Sequence, residues 1–265
     1  MTIVLQTPGP RLPARPNRAG AWLVYRGLVR PALRRTFGRV LLDAGAAADA
    51  LRGRQPVLCY VTHVSWWDGY LAFELFRNAY PRRHFLMMEE AQLRRYFFFR
   101  WCGCFSVHRS DPREGVRSLR YAAHLLQTEA RPLVWMFPQG EILPADRRPL
   151  ALYRGVADIA THSGGVWCVP VALRYEFGAE QRPDALIACG EPLWVGGASD
   201  RGALQAELSD RLAATADGLR ERWVAGELGA FTPILRGQES ANRRFDALLG
   251  PALRWLQRAA GRPRG

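Results

Sequence analysis

The stretch Pro56-Val57-Leu58-Cys59-Tyr60-Val61-Thr62-His63-Val64-Ser65-Trp66-Trp67-Asp68 decides the fold of this chain. Its first six residues form an apolar run, which is typical of a buried strand. Beyond Asp68 the apolar residues follow a helical spacing, at Leu71, Phe73, Leu75 and Phe76. A histidine therefore stands where a strand ends, and a carboxylate stands near the start of the next helix.

His63 and Asp68 form a candidate catalytic pair. Residues five apart on one helix point about 140° away from each other, so these side chains can meet only if the chain turns between them. A base held by a carboxylate is the minimum needed to activate a hydroxyl nucleophile. The same spacing recurs twice later in the chain, at His84 with Glu89 and at His124 with Glu129. Neither later pair follows a change from strand to helix, so the context favours the first one.

The composition is that of a globular protein with a substantial core, since 48% of the 265 residues are hydrophobic and 11% are aromatic. This length fits one large domain, or a core domain with an appendage. The formal net charge is +13, and all 37 basic residues are arginines. A surface this basic favours anionic lipid headgroups, phosphorylated substrates or nucleic acid. The arginines are spread along the chain without any nucleic-acid-binding motif, so no nucleic-acid partner is expected.

The five cysteines lie mostly in apolar runs, and their spacing matches no metal site. They predict reduced, buried thiols in a cytoplasmic protein, and neither a metal nor a cofactor is expected. No apolar run reaches the ~18 residues needed to span a bilayer. The N-terminal residues also lack the apolar region of a secretory signal. Residues 1–18 are rich in proline and arginine and are predicted to form a disordered basic tail.

Residues 19–52 have a basic amphipathic pattern, which predicts helices with a break near Pro31. One interpretation is a membrane-associating segment, with arginines at the headgroups and Trp22 and Tyr25 at the interface. The other is a helix that packs on the core and exposes an arginine face to solvent. The sign of the charge favours the membrane. A basic helix over residues 236–265 is a second candidate for a membrane or packing surface.

Residues 53–235 alternate between strand and helix patterns. After the strand that precedes His63, further strands are predicted at 84–88, 132–137, 166–173 and 185–189, the third of them broken by Pro170. An amphipathic helix is predicted over 202–225. This alternation indicates an α/β fold, a central β-sheet flanked by helices, with the N-terminal amphipathic helical segment in front of it.

Polar residues follow several of the predicted strands, where α/β proteins place functional loops. Arg109 ends a short strand that begins after Gly103, a position suited to binding an anion. The strand over 132–137 runs into Pro138-Gln139-Gly140-Glu141, a sharp turn that projects polar side chains. Five aromatic residues between positions 96 and 101 can fill the core or line an acyl-chain site, and burial in the core is the usual fate of such residues.

Four segments then occur in one order, namely His63 to Asp68, Gly103 to Arg109, Phe137 to Gly140, and Val169-Pro170-Val171. Together they resemble the glycerolipid acyltransferases, the family that contains the 1-acyl-glycerol-3-phosphate acyltransferases. That family has a histidine and an aspartate separated by four residues, a segment from glycine to arginine, a Phe-Pro-Glu-Gly loop and a later Val-Pro-Val strand. The resemblance covers about residues 55–175.

The resemblance implies an acyltransferase in which His63 is the general base and Asp68 is its orienting partner. The histidine would take the proton of a lipid hydroxyl on a lysophospholipid-like acceptor, which attacks the thioester of an acyl-CoA or acyl-carrier protein. Asp68 would fix the imidazole tautomer and stabilise the imidazolium, with no acyl-enzyme intermediate. Ser65 has a positional role in this interpretation. An anionic membrane surface is an expected partner. The protein is expected at the cytoplasmic face of the cell membrane, as a peripheral or monotopic protein.

The acceptor half departs from the family pattern. Thr62 stands where the family often has asparagine, Gln139 replaces the loop glutamate, and Glu141 begins the segment where Thr-Arg-Ser is common. The candidate substrate-binding residues are Arg109, Gln139, Gly140, Glu141 and Arg154. A glycosylated lipid such as a carotenoid glycoside is an alternative acceptor. A non-enzymatic membrane-surface binding protein is an alternative of another class, and it would not need His63 and Asp68.

Overall fold

The computed structural model describes residues 9–197 and 200–238. Its strands, in chain order, are β1 (Arg39–Asp43), β2 (Val57–Val61), β3 (Arg83–Glu89), β4 (Cys104–Val107), β5 (Pro132–Met136), β6 (Val166–Glu176), β7 (Asp184–Cys189), β8 (Leu193–Val195) and β9 (Thr232–Arg236). They form one nine-stranded sheet in the order β4-β3-β5-β2-β6-β7-β1-β9, with β8 paired to β6.

Helices cover both faces of this sheet. They are α1 (Arg18–Val24), α2 (Arg30–Thr36), α3 (Ala48–Arg52), α4 (Asp68–Glu74), α5 (Glu90–Arg95), α6 (Pro112–Thr128), α7 (Gly155–His162) and α8 (Arg201–Ala225). Two π-helical turns, Tyr25–Val29 and Leu75–Ala79, and two 3-10 turns, Gly45–Ala47 and Phe97–Cys102, complete them. The predicted α/β class is therefore confirmed. Over the described ranges, every helix is too short or too polar to cross a bilayer.

The middle of the sheet is parallel, since β4, β3, β5, β2 and β6 all run in the same direction. Strands β2 and β5 are buried along their whole length. Burial on both faces explains why their sequences are continuous apolar runs rather than alternating ones. Because parallel strands end at the same edge, the loops after β2, β3, β4 and β5 come together there.

Strand β6 passes straight through Pro170, although the sequence predicts a break at this residue. Pro170 pairs with Tyr60 of β2 on one side. On the other side, β8 pairs with residues up to Cys168, and β7 pairs only from Val171 onward. Proline cannot donate to a ladder, but here its position falls in the gap between two partner strands. The strand therefore continues at no cost in hydrogen bonds.

The predicted disordered tail over residues 1–18 is wrong for the residues that the structure describes. Residues 9–17 run along the end of the sheet, where the Leu12 N–H donates to Ser106 Oγ at 3.0 Å. Ser106 N–H returns a bond to Leu12 O at 2.9 Å, and Arg15 N–H donates to Arg100 O at 3.0 Å. This segment is ordered because it pairs with the edge of β4. Residues 1–8 lie outside the described residues.

Three predicted boundaries also move. The helical segment over 19–52 is interrupted after Thr36, because Val40, Leu41 and Leu42 form β1 between β7 and β9, and helical structure returns only from Gly45 to Arg52. The sheet therefore begins well before residue 53. Its last strand ends at Arg236, so the predicted C-terminal helix does not start at residue 236. The rest of that helix, residues 239–265, lies outside the described ranges.

Candidate active site

The exit from β2 is fixed before the chain reaches His63. Thr62 N–H donates to Val171 O at 3.0 Å, and Thr62 Oγ1 accepts from Leu173 N–H at 2.9 Å. Thr62 is buried and joins β2 to β6 at this point. The loop that follows turns back so that Asp68, at the start of α4, faces His63. The turn required by the sequence argument is therefore present.

Asp68 has no solvent-accessible surface, and all of its contacts orient His63 or the loop that carries it. Its Oδ2 lies 2.7 Å from His63 Nδ1 and accepts from the N–H groups of Val64 at 2.7 Å and Ser65 at 3.0 Å. Its Oδ1 accepts from the Tyr175 hydroxyl at 2.6 Å. A carboxylate in this environment acts only as an acceptor, so His63 Nδ1 carries the proton.

The imidazole of His63 has one nitrogen left for chemistry. Because Nδ1 donates to Asp68, Nε2 keeps its lone pair, and no described residue hydrogen-bonds to it. The ring stacks on Phe137 with centroids 4.2 Å apart and planes at 19°. The backbone N–H of His63 donates to Gln139 Oε1 at 2.7 Å, and its carbonyl accepts from Leu143 N–H at 2.8 Å. The base is therefore held on three sides.

Tyr175 completes the support of Asp68 from the far end of β6. Burial, followed by the negative charge of Asp68 nearby, raises the pKa of Tyr175 well above its ordinary value. The hydroxyl therefore keeps its proton and donates to the carboxylate at neutral pH. Its ring stacks on Phe37, with centroids 5.4 Å apart. The acidic partner of His63 is thus itself hydrogen-bonded by a tyrosine.

Two cavities meet at His63. The first has a volume of about 240 Å³, and its wall is mainly apolar, with Phe73, Leu86, Tyr96 and Phe99 among the lining residues. The second has a volume of about 260 Å³ and includes charged and polar groups, with Glu89, His108, Arg109 and Asp111 in its wall. Four residues line both cavities, namely His63, Met87, Glu89 and Phe137. His63 therefore stands between an apolar cavity and one whose wall also carries charged side chains, which we call the polar cavity.

The candidate site lies within a region that matches a known protein family. A model of the acyltransferase family matches residues 46–174, a range that holds His63, Asp68, Arg109 and the loop after β5. The chain is an acyltransferase. The recognition made from the four motifs is confirmed.

A crystal structure of another protein shows a similar fold. The chain is similar to the 1-acyl-sn-glycerophosphate acyltransferase PlsC from Thermotoga maritima, with a TM-score of 0.55 and 18% sequence identity. The match covers 77% of this chain and 82% of that one. No curated protein sequence matches the acyltransferase significantly.

The structure divides the predicted substrate-binding residues of the acyltransferase into two groups. Arg109 and Gly140 line the polar cavity. The Arg109 side chain bonds to Glu89 Oε2 at 3.2 Å and to the Gly140 carbonyl. Gly140 has a φ of +72°, and a Cβ there would lie 2.7 Å from the Tyr153 ring, so the turn requires glycine.

The other three candidates lie elsewhere. Gln139 is buried, and its side-chain Oε1 accepts from the backbone N–H of His63, so this residue holds the loop that carries the histidine. Glu141 and Arg154 are exposed, and neither lines the two cavities at His63. Ser65 has the positional role expected of it, since its Oγ accepts from the Trp67 N–H at 3.3 Å.

Neither of the two similar pairs found in the sequence is joined by a hydrogen bond or an ion pair in the described structure. His84 is a partly buried residue of β3 with its Nδ1 3.3 Å from Arg82 O, and burial lowers the pKa of this histidine. Glu89 instead pairs with Arg109. Glu129 forms an ion pair with Arg83 at 2.6 Å. In the described part of the chain, no three His, Cys, Asp or Glu residues group as metal ligands would.

Sequence reasoning missed Tyr175 and Glu89 as members of the site. Tyr175 lies 107 residues from Asp68 and follows the Val-Pro-Val segment in β6, so no local motif marks it. Glu89 ends β3, and the parallel topology brings it to the same edge as His63. A position at the end of a predicted strand is the signal that could have marked such residues. Using that signal requires the order of the strands in the sheet, which the sequence does not give.

Proposed function

We propose that this acyltransferase moves a fatty acyl group from a thioester, acyl-CoA or acyl-carrier protein, to a hydroxyl of a lipid acceptor. His63 is the general base and Asp68 is its orienting partner. The observation that carries this proposal is the position of the His63 imidazole, held at 2.7 Å by a buried carboxylate where an apolar and a polar cavity meet. That arrangement suits a reaction between an acyl chain and a polar acceptor.

The proton follows a short path in this mechanism. Nε2 of His63 takes the proton of the acceptor hydroxyl as its oxygen attacks the thioester carbonyl. Asp68 stabilises the imidazolium that forms and prevents the ring from changing tautomer. When the tetrahedral intermediate collapses, the C–S bond breaks and the imidazolium returns the proton to the leaving thiolate. The thioester is already activated, so the transfer needs neither an enzyme nucleophile nor a cofactor.

The two cavities divide the substrates by polarity. The first cavity, with Phe73, Leu86 and Phe99 in its wall, is suited to an acyl chain, because apolar burial favours it by about 0.8 kcal/mol for each CH₂ group. The polar cavity around Arg109 is suited to the headgroup of the acceptor. The reacting carbonyl and hydroxyl then meet beside His63.

The enzyme is proposed to lie at the cytoplasmic face of the cell membrane. Trp22 and Leu23 on α1 are 50% and 60% exposed, and Phe97 on the adjoining 3-10 turn is 59% exposed. We call these three residues the apolar patch. Exposed arginines lie in the same N-terminal segment, namely Arg18, Arg26, Arg34 and Arg35. Exposed aromatic and aliphatic side chains beside arginines are the composition of a segment that lies on an anionic lipid surface.

The test is a transfer assay with purified enzyme and a labelled acyl group. Both donor types, acyl-CoA and acyl-carrier protein, are offered with lysophosphatidic acid, other lysophospholipids and glycosylated carotenoids. Labelled product that disappears in His63→Ala is the expected result. A carotenoid glycoside as the only acceptor would support the alternative acceptor class.

The absence of transfer from either donor to every acceptor would contradict the proposal. Membrane binding that persists in such an inactive protein would favour the non-enzymatic alternative. That alternative leaves the buried dyad without a purpose, because Asp68 makes four close polar contacts that serve only to orient His63 and its loop.

A further inference from the structure

Within the described ranges, the wall of the polar cavity has more negative than positive side chains. Arg109 is the one arginine among these lining residues, whereas Glu89 and Asp111 contribute two carboxylates. Arg109 is already paired, since its Nε lies 3.2 Å from Glu89 Oε2 and its Nη1 donates to the Gly140 carbonyl. The cation that the sequence suggests as an anion-binding group is therefore neutralised by the protein itself.

Asp111 retains its charge at neutral pH. The backbone N–H of Glu114 and the nearby Arg11 guanidinium lower the pKa of this carboxyl. Arg11 bonds to Asp111 Oδ2 at 2.8 Å, but it also contacts Glu90 and Glu114, so its single charge is shared among three carboxylates. Arg154, the other candidate cation, does not line this cavity. An anion entering the cavity would meet no uncompensated positive charge among these residues.

Glu89 lies where an acceptor would approach His63. It ends β3 and lines both cavities, as His63 does. A phosphate monoester carries a charge of about −1.5 to −2 at pH 7 and would face this carboxylate close to the base. Like charges brought together at a binding site cost several kcal/mol. A hydroxylated, uncharged group avoids this repulsion and can donate to Glu89 while it accepts from Arg109.

We propose that the acceptor of this acyltransferase has an uncharged, hydroxyl-rich headgroup, which the Glu89–Arg109 ion pair selects over a phosphate. The inference rests on the proposed function and narrows its acceptor. Glu89 provides the acceptor atoms and Arg109 the remaining N–H donors for neighbouring hydroxyls, such as those of a glycerol or a sugar. The same carboxylate that binds these hydroxyls repels a headgroup with a phosphate.

The experiment compares three single-chain acceptors of equal acyl or alkyl length, namely a monoacylglycerol, an alkyl glucoside and lysophosphatidic acid. For the natural enzyme, kcat/KM is expected to be at least about tenfold higher with a neutral acceptor than with lysophosphatidic acid. Glu89→Gln has nearly the same shape but no charge. It is expected to raise kcat/KM for lysophosphatidic acid by about tenfold and to leave the neutral acceptors the same or poorer.

Glu207→Gln is the matched control, because Glu207 is an exposed carboxylate on α8 that pairs with Arg211. It should change none of the three values. A preference for lysophosphatidic acid in the natural enzyme, unaffected by Glu89→Gln, would overturn the inference and leave the proposed function intact. The absence of transfer to all three acceptors, from both donor types, would overturn the proposed function and the inference with it.

Discussion

At the scale of single residues, the catalytic pair depends on a third side chain. Asp68 is fully buried, and one of its oxygens is occupied by His63 and two backbone N–H groups. The other oxygen accepts from Tyr175 at 2.6 Å. This hydrogen bond fixes the carboxylate plane and disperses its charge, so Tyr175 is a positioning residue that acts through Asp68.

Tyr175→Phe is expected to lower kcat by about tenfold and to leave KM nearly unchanged, because it removes one hydrogen bond to a buried charged group. Asp68 then orients His63 less firmly, while the walls of the two cavities stay the same. Steady-state rates over a range of substrate concentrations separate the effect on kcat from that on KM.

Tyr60→Phe is the control for this variant. Tyr60 is also a buried tyrosine, on β2, and its hydroxyl has no hydrogen-bond partner in the described structure. Its removal should leave kcat and KM unchanged. A Tyr175→Phe enzyme with an unaltered kcat would show that this hydroxyl only fills space.

The sequence predicted His63 and Asp68 because both lie in one local stretch whose strand-to-helix change is visible in the residue pattern. It could not predict Tyr175, because only the pairing of β6 with β2 brings that residue back to the loop. Gln139 was found as a member of the site, but its contact with His63 was not. Its amide faces the backbone of His63 instead of the cavity, a direction that no sequence pattern specifies.

At the scale of elements, Gly103 fixes how β4 leaves the aromatic 3-10 turn. Its φ is +92°, and a Cβ at this position would lie 2.3 Å from the carbonyl oxygen of His84 in β3. Both the left-handed backbone and the close approach of β3 require glycine here. The position of β4 in turn determines where Arg109 enters the polar cavity.

Gly103→Ala is expected to lower the free energy of unfolding by about 3 kcal/mol or more, since it combines backbone strain with a clash against main-chain atoms. Gly218→Ala is the matched control. Gly218 lies within α8, and a Cβ there meets no atom within 4 Å. That change should stabilise the protein by about 1 kcal/mol. Urea unfolding of the two variants measures both effects, and an unaltered stability for Gly103→Ala would contradict this account.

Most strands and the long helix α8 follow from the sequence pattern, but β1 does not. Val40, Leu41 and Leu42 extend the helical spacing of the residues before them, so the pattern favours a helix. The strand forms because β7 and β9, both far along the chain, accept it between them. Tertiary pairing overrides local preference here. The same holds for residues 9–17, which have few apolar side chains and are ordered by the edge of β4.

At the scale of the whole molecule, the parallel strands at the centre of the sheet bring the residues of the site together. The ends of β2, β3, β4 and β5, with the loops that follow them, supply His63, Glu89, Arg109 and Phe137, one from each strand. The α/β class was predictable because the alternation of patterns is strong. The order of the strands was not predictable. The sequence could therefore place each residue at the end of a strand, but it could not show which of these residues face the same cavity.

The proposed membrane binding is a property of the whole surface, and we expect it to depend on both the apolar patch and the net charge of +13. The double variant Trp22→Ser with Leu23→Ser should weaken binding to vesicles that contain phosphatidylglycerol by about tenfold or more, because two apolar side chains no longer enter the lipid. Sedimentation with phosphatidylcholine vesicles, with and without phosphatidylglycerol, measures this change.

Val224→Ser is the control for that double variant, since Val224 is 76% exposed on α8 and lies outside the apolar patch. It should bind the vesicles as the natural protein does. Higher salt should weaken the binding of all three proteins, because part of the attraction is electrostatic. Equal binding of the double variant and the control to the vesicles would show that α1 does not contact the lipid.

The most direct test of the central claim is the rate of acyl transfer in His63→Ala, measured with the best acceptor and a labelled thioester. The account predicts that kcat/KM falls by about a thousandfold or more, because the general base and its activation of the hydroxyl are lost together. Circular dichroism should confirm an unchanged fold. A correctly folded His63→Ala enzyme that keeps the rate of the natural protein would contradict the account.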